Sequence, residues 1–340
     1  MIDPDSHRIL QQEIRRQVEA DRVLLDQLRE EIRPLRSEVR RIQPRIATAI
    51  SLVGTDGGNN SLRFDPFLVQ IVRVVDSSNN ELCLEVVTPT TSVHALAERQ
   101  FGQQTTALGR MMEFLGVRRL TELSHMIRSN DGGRPVSPTW VQVYRELVEW
   151  AVLFDILRNK DFATDTLLVF DGLLRSKAFA RDLFPRLLQG MERAIAEQER
   201  HSRRKLYLVG LAKSSQVLTR YRLAMALEQI LTTDYPAYME IPREIEEKAY
   251  IWSEYARGDD QPVEGEINKF VGGKMFFVKF GRGRRDPIWP VDLFLPQSTR
   301  GQAPAILGHL QADATNGFPV PFVTTQPGGD GKDILVLRVW

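Results

Sequence analysis

The chain has 340 residues, with 45 Lys and Arg against 44 Asp and Glu and a formal net charge of +1. Hydrophobic residues make up 42% and charged residues 26%, the balance of a globular protein long enough for one large or two ordinary domains. The near-neutral charge excludes a global basic field for nucleic acid. The lack of any apolar run of about 20 residues excludes a membrane helix, and the charged N-terminus has no signal-peptide core, so the cytoplasm is the expected compartment.

From about Asp5 to Arg45 the chain reads as a highly charged helix. Leu25, Leu28, Ile32, Leu35, Val39 and Ile42 alternate three and four apart, the seam of a coiled coil or of a helix folded back on its own domain. Pro34 should kink or break it. Three strands follow: "ATAISLVGTD", expected to end at Asp56, then "PFLVQIVRVVDSS" and "NELCLEVVT", antiparallel across the turn signal "DSSNN". The only cysteine, Cys83, lies in the third of these and reads as a buried core residue. Helical patterns run from about Val93 to Arg128 and from Pro138 to Arg158, separated by the loop "SNDGGRPVSP". "DTLLVFDG" is a continuous apolar strand, buried on both faces, and a helix follows to about Arg203. "KLYLVGLAKSS" is a second such strand and "VLTRYRLAMALEQIL" a helix. Strands return in "KMFFVKFG", "VDLFLP" and "DILVLRVW", with a helix in "GQAPAILGHLQADATN". The order implies an α/β fold: a mixed β-sheet flanked by helices, with a helical extension over 1–46 and one domain over 47–340.

The chemistry points to carboxylates. Asp56 in "VGTDGG" and Asp171 in "VFDG" each close an apolar strand and precede glycine, which lets an ion or a phosphate approach the backbone. Asp-Gly is also ordinary turn chemistry. Two hard carboxylates on adjacent strands suit Mg²⁺ or Mn²⁺. A third acid is available in "YRELVEWAVLFD", where Glu146, Glu149 and Asp155 lie on the preceding helix. Lys213 ends the "YLVGLAKSS" strand, where it can offset phosphate charge or stand exposed at a helix start. Arg220 and Arg222 lie on the next helix. Lys269, Lys274, Lys279, Arg282, Arg284 and Arg285 interleave with glycines and aromatics in "KFVGGKMFFVKFGRGRRDPIW". That pattern fits a hairpin tracking a phosphate backbone or a solvated basic hairpin. There is no GxxxxGK[ST], GxSxG or HExxH sequence, and the five histidines are dispersed.

Five stretches, "VGTDGGNNS", "YRELVEWA", "LLVFDGLL", "LVGLAKSS" and "LGHLQADATNGFPVPFV", resemble the NurA nuclease family in that family's order. They cover most of the chain from Ala47 onward. The resemblance implies an RNase H-like core and DNA hydrolysis dependent on Mn²⁺ or Mg²⁺. It also implies a homodimer and work with a HerA-type hexameric ATPase in 5′–3′ resection of double-strand breaks. It implies Asp56, Asp171 and Glu149 as metal ligands and catalytic acids. Lys213 falls on the family's lysine and is implied as a catalytic, DNA-binding residue. The gap from Glu149 to Asp171 is longer than the family's, so Glu146 stays a substitute. Lys213, Arg220, Arg222, Lys274, Lys279, Arg282, Arg284 and Arg285 are the expected DNA-binding residues. One departure stands out: Thr324, Thr325 and Gln326 occupy the place of the family's Ala-His pair, and His309 does not match it. A non-catalytic or weakly active RNase H-like protein that docks a HerA-type motor is the alternative, and an RNA-directed enzyme a third.

Overall fold

The computed structural model describes residues 3–43, 50–64, 67–75, 81–88, 90–130, 133–136, 140–251 and 269–314. The charged N-terminal stretch is not one helix to residue 45. Helix α1 (Pro4–Ile32) gives way to a 3-10 turn (Arg33–Glu38) with Pro34 in its first turn, where the missing proline N–H costs nothing. A two-residue strand, β1 (Arg40–Arg41), follows. Ile32, Leu35 and Ile42 of the expected seam are buried inside this chain, so the end of the helix folds back on its own body.

Strands β2 (Ile50–Phe64), β3 (Phe67–Val75) and β4 (Glu81–Val87) form the expected antiparallel run. The expected end at Asp56 is wrong. β2 continues through Gly57 and Gly58 for the full 15 residues, because β3 supplies a partner for that half, with Gly57 opposite Val74 and Gly58 opposite Arg73. Cys83 on β4 is half-buried rather than buried, packed at the margin of the core.

The helical pattern after Val93 divides into α2 (Val93–Arg99), α3 (Ala107–Leu115) and α4 (Leu120–Leu123). The breaks have local causes. Ser92 and Thr106 accept from backbone N–H groups as N-caps, and Gly116 closes α3 at φ +75°. Helix α5 (Trp140–Asn159), strand β5 (Asp165–Asp171), helix α6 (Leu183–Ser202), strand β6 (Leu206–Leu211) and helix α7 (Gln216–Leu227) alternate as expected. Residues 172–182, expected to be helical, instead cross the sheet. Strand β7 (Ala237–Glu240) and helix α8 (Arg243–Ile251) have no counterpart in the sequence reading. Strands β8 (Gly273–Lys279) and β9 (Trp289–Phe294) form a hairpin, followed by α9 (Leu295–Thr299) and α10 (Ala303–Asp313). The expected strand "DILVLRVW" lies outside the described residues.

Among the described residues the strands form one nine-stranded mixed sheet in the order β1-β7-β8-β9-β6-β5-β2-β3-β4. β2, β5 and β6 are mutually parallel, and β9 runs antiparallel to β6 and β8. Alternation sorts the core. Leu168, Phe170, Leu206 and Leu208 meet α3, α5 and α6, while Leu167, Val169, Tyr207 and Val209 meet α10 on the opposite face. A third cluster joins Met239, Met275 and Phe277 to α7, α8 and Ile32. Register links Met275 to Asp292, Asp292 to Gly210 and Gly210 to Phe170, so this third cluster shares the α5–α6 face. Both faces of β5 and β6 are therefore buried under helices, the arrangement that makes these two strands read as unbroken apolar runs.

Candidate active site at the carboxyl edge of the sheet

Because β2, β5 and β6 are parallel, the carboxyl ends of β5 and β6 lie along one edge of the sheet, level with the point where β2 leaves β5 and runs on to Phe64 against β3. The chain leaves β2 toward β3 and β4 on one side, then returns to place β5 and β6 on the other. The β2/β5 boundary is thus a topological switch point, where ligands of α/β sheets collect. Pairing there runs from Ile50 opposite Asp165 to Thr55 opposite Phe170 and then stops. The next residue on each strand is an aspartate: Asp56 and Asp171. The structure brings these two acids to the same level on adjacent strands, where β2 departs with β3 and β5 turns away at Gly172 (φ +146°).

Helix α5 supplies the neighbouring carboxylates. It joins β5 through residues 160–164 and so runs back beside it. Trp150 packs on Phe170 with ring centroids 4.9 Å apart, which sets the turn carrying Arg145, Glu146 and Glu149 near the end of β5. Glu149 lies 3.2 Å from Arg145 Nε, with only 11% of its side chain exposed. Glu146 turns elsewhere. The Ser176 hydroxyl donates to its carboxylate, and burial pushes its pKa up, with that hydrogen bond and Arg145 opposing the shift. Asp155 pairs with Arg110 at 2.6 Å, far down the helix.

Lys213 stands exposed two residues past Leu211, which is the register partner of Asp171. Ser215 then caps α7, accepting from the Leu218 N–H at 3.0 Å. The β8–β9 loop reaches the same edge. Ala212 N–H donates to Pro290 O at 3.1 Å, and Arg282, Arg284 and Arg285 are all exposed in that loop. The basic cluster is smaller than expected, however. Lys279 is fully buried, and its ammonium donates to the carbonyls of Thr233, Gly281 and Gly283 at 2.9–3.0 Å. It holds the loop from inside rather than facing solvent; burial lowers its pKa against the pull of Asp286 and Asp234. Lys274 pairs with Glu240 at 2.5 Å on the far part of β8. Arg220 is directed to α1, 4.0 Å from Glu31, whereas Arg222 is exposed.

Among the described residues, no group of three or more His, Cys, Asp or Glu side chains is placed to hold a metal ion; the Asp56 side chain lies outside that set. His309 is buried under the sheet with its ring 6.1 Å from that of Tyr207. Asp313 is half-buried at the end of α10. Thr324, Thr325 and Gln326 lie outside the described residues. No helix among the described residues is long and apolar enough to cross a membrane.

The missing signal in the sequence was register. Nothing local to "VGTDGG" or "VFDG" says that these two strands are neighbours, and nothing marked Arg175, whose guanidinium pairs with Asp292 at 2.6 Å and Glu246 at 2.7 Å, as a buried partner of distant acids.

No protein-family model and no curated protein sequence matches the chain. Solved structures do. The NurA nuclease from Sulfolobus solfataricus is similar at 12% identity and a TM-score of 0.40, over 94% of this chain and 89% of that one. A NurA bound to dAMP and manganese is similar at 13% identity and a TM-score of 0.36, over 92% of this chain and 91% of that one. A NurA with manganese is similar at 11% identity and a TM-score of 0.34, over 91% and 93%. At these TM-scores the likeness assigns no role to any residue; the weight rests on the strand register that sets Asp56 beside Asp171.

Proposed function

We propose that this chain is a divalent-metal-dependent DNA nuclease of the NurA type. The observation that carries the reading is the register of β2 and β5, which ends with Asp56 and Asp171 side by side at the sheet's switch point. The meander β2–β3–β4, with β5 and β6 parallel on the other flank of β2, supports an RNase H-like description of the core.

The donor set fits Mn²⁺ or Mg²⁺, which take hard carboxylate oxygens. Asp56 and Asp171 would hold the ion, with Glu149 as the third acid. Glu146 is the weaker choice, because Ser176 already occupies its carboxylate. When bound, a divalent cation supplies an activated water and charge neutralisation for phosphodiester hydrolysis. The chain's own groups do the rest. Arg145 orients the Glu149 carboxylate. Lys213, just ahead of the capped N-terminus of α7, offsets negative charge on the scissile phosphate. Arg282, Arg284 and Arg285 hold the flanking backbone through phosphate contacts that carry no sequence information. Work with a HerA-type hexameric ATPase, a homodimeric assembly, a cytoplasmic site of action and 5′–3′ end resection follow from the motif resemblance and complete the proposal.

The test is cleavage of linear DNA in Mn²⁺ by the full chain and by Asp56→Asn and Asp171→Asn. Each substitution should lower cleavage by at least about 10³-fold, since charge stabilisation of this kind is worth several kcal/mol, with circular dichroism unchanged. Retained cleavage in either variant rejects the assignment. Activity on RNA or hybrid substrates alone rejects DNA as the substrate.

A further inference from the structure

Beyond Asp171 the chain does not turn into a helix; it crosses the sheet. Gly172 still donates to Leu211 O at 3.0 Å, and the segment then passes over Gly210 of β6. The approach is so close that a Cβ on Gly210 would sit 2.5 Å from Gly172 O and 2.9 Å from Leu174 N. Two residues fasten the far end. Ser176 Oγ donates to Glu146 on α5. Arg175 spreads its fork between two acids: Nε and Nη2 reach both Asp292 oxygens on β9 at 2.6 Å, and Nη1 reaches Glu246 on α8 at 2.7 Å. Tyr250 Oη lies 2.9 Å from the same Nη1. Asp292 and Glu246 are essentially unexposed, and Arg175 retains 10% of its side-chain exposure.

An ion cluster this buried is weak evidence for stability, since the desolvation cost offsets the attraction. Its position is more telling. It lies on the seam between two apolar clusters: Leu174 belongs to the one under α5 and α6, and Leu173 packs on the one under α7 and α8. Leu174 and Leu173 hold the crossing segment on the two sides of that seam, and the Arg175 fork adds a polar tie to β9 and α8. Its carbonyl-side neighbours are also tied, with Gly272 N–H donating to Leu174 O at 2.7 Å and Ser176 N–H to Phe270 O at 3.0 Å.

We infer that Arg175 is a positioning residue: through its fork on Asp292 and Glu246 it holds the segment 172–176 as a strap that fixes the carboxylate of Asp171 for a divalent cation. The inference rests on the nuclease reading and deepens it. Supporting residues of this kind set ligand orientation and alter metal affinity when removed.

The experiment uses the full chain, with Mn²⁺ binding measured by calorimetry in the absence of DNA and Mn²⁺-dependent cleavage measured beside it. Arg175→Lys keeps the charge and loses the planar fork. Its Mn²⁺ affinity should fall roughly tenfold or more, and the half-saturating Mn²⁺ for cleavage should rise by the same factor. A merely structural role would lower the active fraction at every Mn²⁺ concentration and leave that midpoint in place. Equal Mn²⁺ affinity in a folded Arg175→Lys protein overturns the strap. Where that variant does not fold, Ser176→Ala, which removes the tether to α5 and the oxygen that accepts from the Ala178 N–H at 3.1 Å, is read in its place, and unchanged Mn²⁺ affinity there overturns it. If the unmodified chain shows no Mn²⁺ binding that Asp171→Asn removes, the nuclease reading fails and the strap with it.

Discussion

Glu146 and Glu149 lie three residues apart on α5 and have different surroundings. Glu149 keeps a cationic partner in Arg145, while Glu146 is enclosed and meets only the Ser176 hydroxyl strongly. Burial raises the pKa of Glu146 from its ordinary value, against the pull of the Ser176 hydrogen bond and Arg145. The folded state therefore holds this proton to higher pH than the unfolded chain does. Its contribution to stability is complete below the unfolded pKa and is lost as pH rises through the folded one. Glu146→Gln does not titrate and still accepts from Ser176. Its stability relative to the unmodified chain should improve as pH rises from the unfolded glutamate pKa through the higher folded one in urea unfolding, with nuclease activity retained. Glu149→Gln should lose activity. A pH-independent difference for Glu146→Gln, or lost cleavage with Glu149→Gln fully active, would reverse these assignments.

At the scale of elements, α1 is two things joined. Its first turns leave Ile9, Leu10, Ile14, Val18, Val23 and Leu24 exposed. Its end is built into the body. Arg29 and Arg33 donate to Glu228 at 2.7 and 3.1 Å, Tyr221 donates to Glu31 at 2.6 Å, and Ile32 is fully buried among α7 and α8. Removing residues 1–24 should shift unfolding by less than about 0.5 kcal/mol. Ile32→Ala should cost about 2–5 kcal/mol. A comparable loss from both in chemical denaturation would mean that the exposed turns are packed after all. Elements carried by local pattern were legible in the sequence: β5 and β6 as unbroken apolar runs, α5 by length, the break at Pro34. Elements created by a partner were not. Gly57-Gly58 reads as a turn until β3 is paired against it, and β7 is four residues between prolines, given meaning only by its pairing with β1 and β8. The candidate site was legible as residue types, while its geometry is a matter of register and crossing, which are tertiary.

At the scale of the whole molecule, a net charge of +1 leaves no long-range field to hold DNA, so binding must depend on which charges reach the carboxyl edge of the sheet. Burial decides that membership. Arg282, Arg284 and Arg285 are exposed on the loop at the sheet edge that carries Lys213, whereas Lys279, close in sequence, spends its three donors on loop carbonyls. Each arginine that neutralises a duplex phosphate adds about 0.9 to the slope of log affinity against log salt. Replacing Arg282, Arg284 and Arg285 together by Ser should therefore weaken DNA binding and reduce that slope by about 2 to 3, read by fluorescence anisotropy between roughly 50 and 200 mM salt. Lys279→Met removes the same kind of charge from the same hairpin. It should cost about 1–3 kcal/mol of folding stability by stranding the carbonyls, and leave the slope of the folded protein where it was. A triple-Ser protein with an unchanged slope would move the DNA path off this edge. A reduced slope in Lys279→Met would show that the buried lysine reaches phosphate, against the geometry that encloses it.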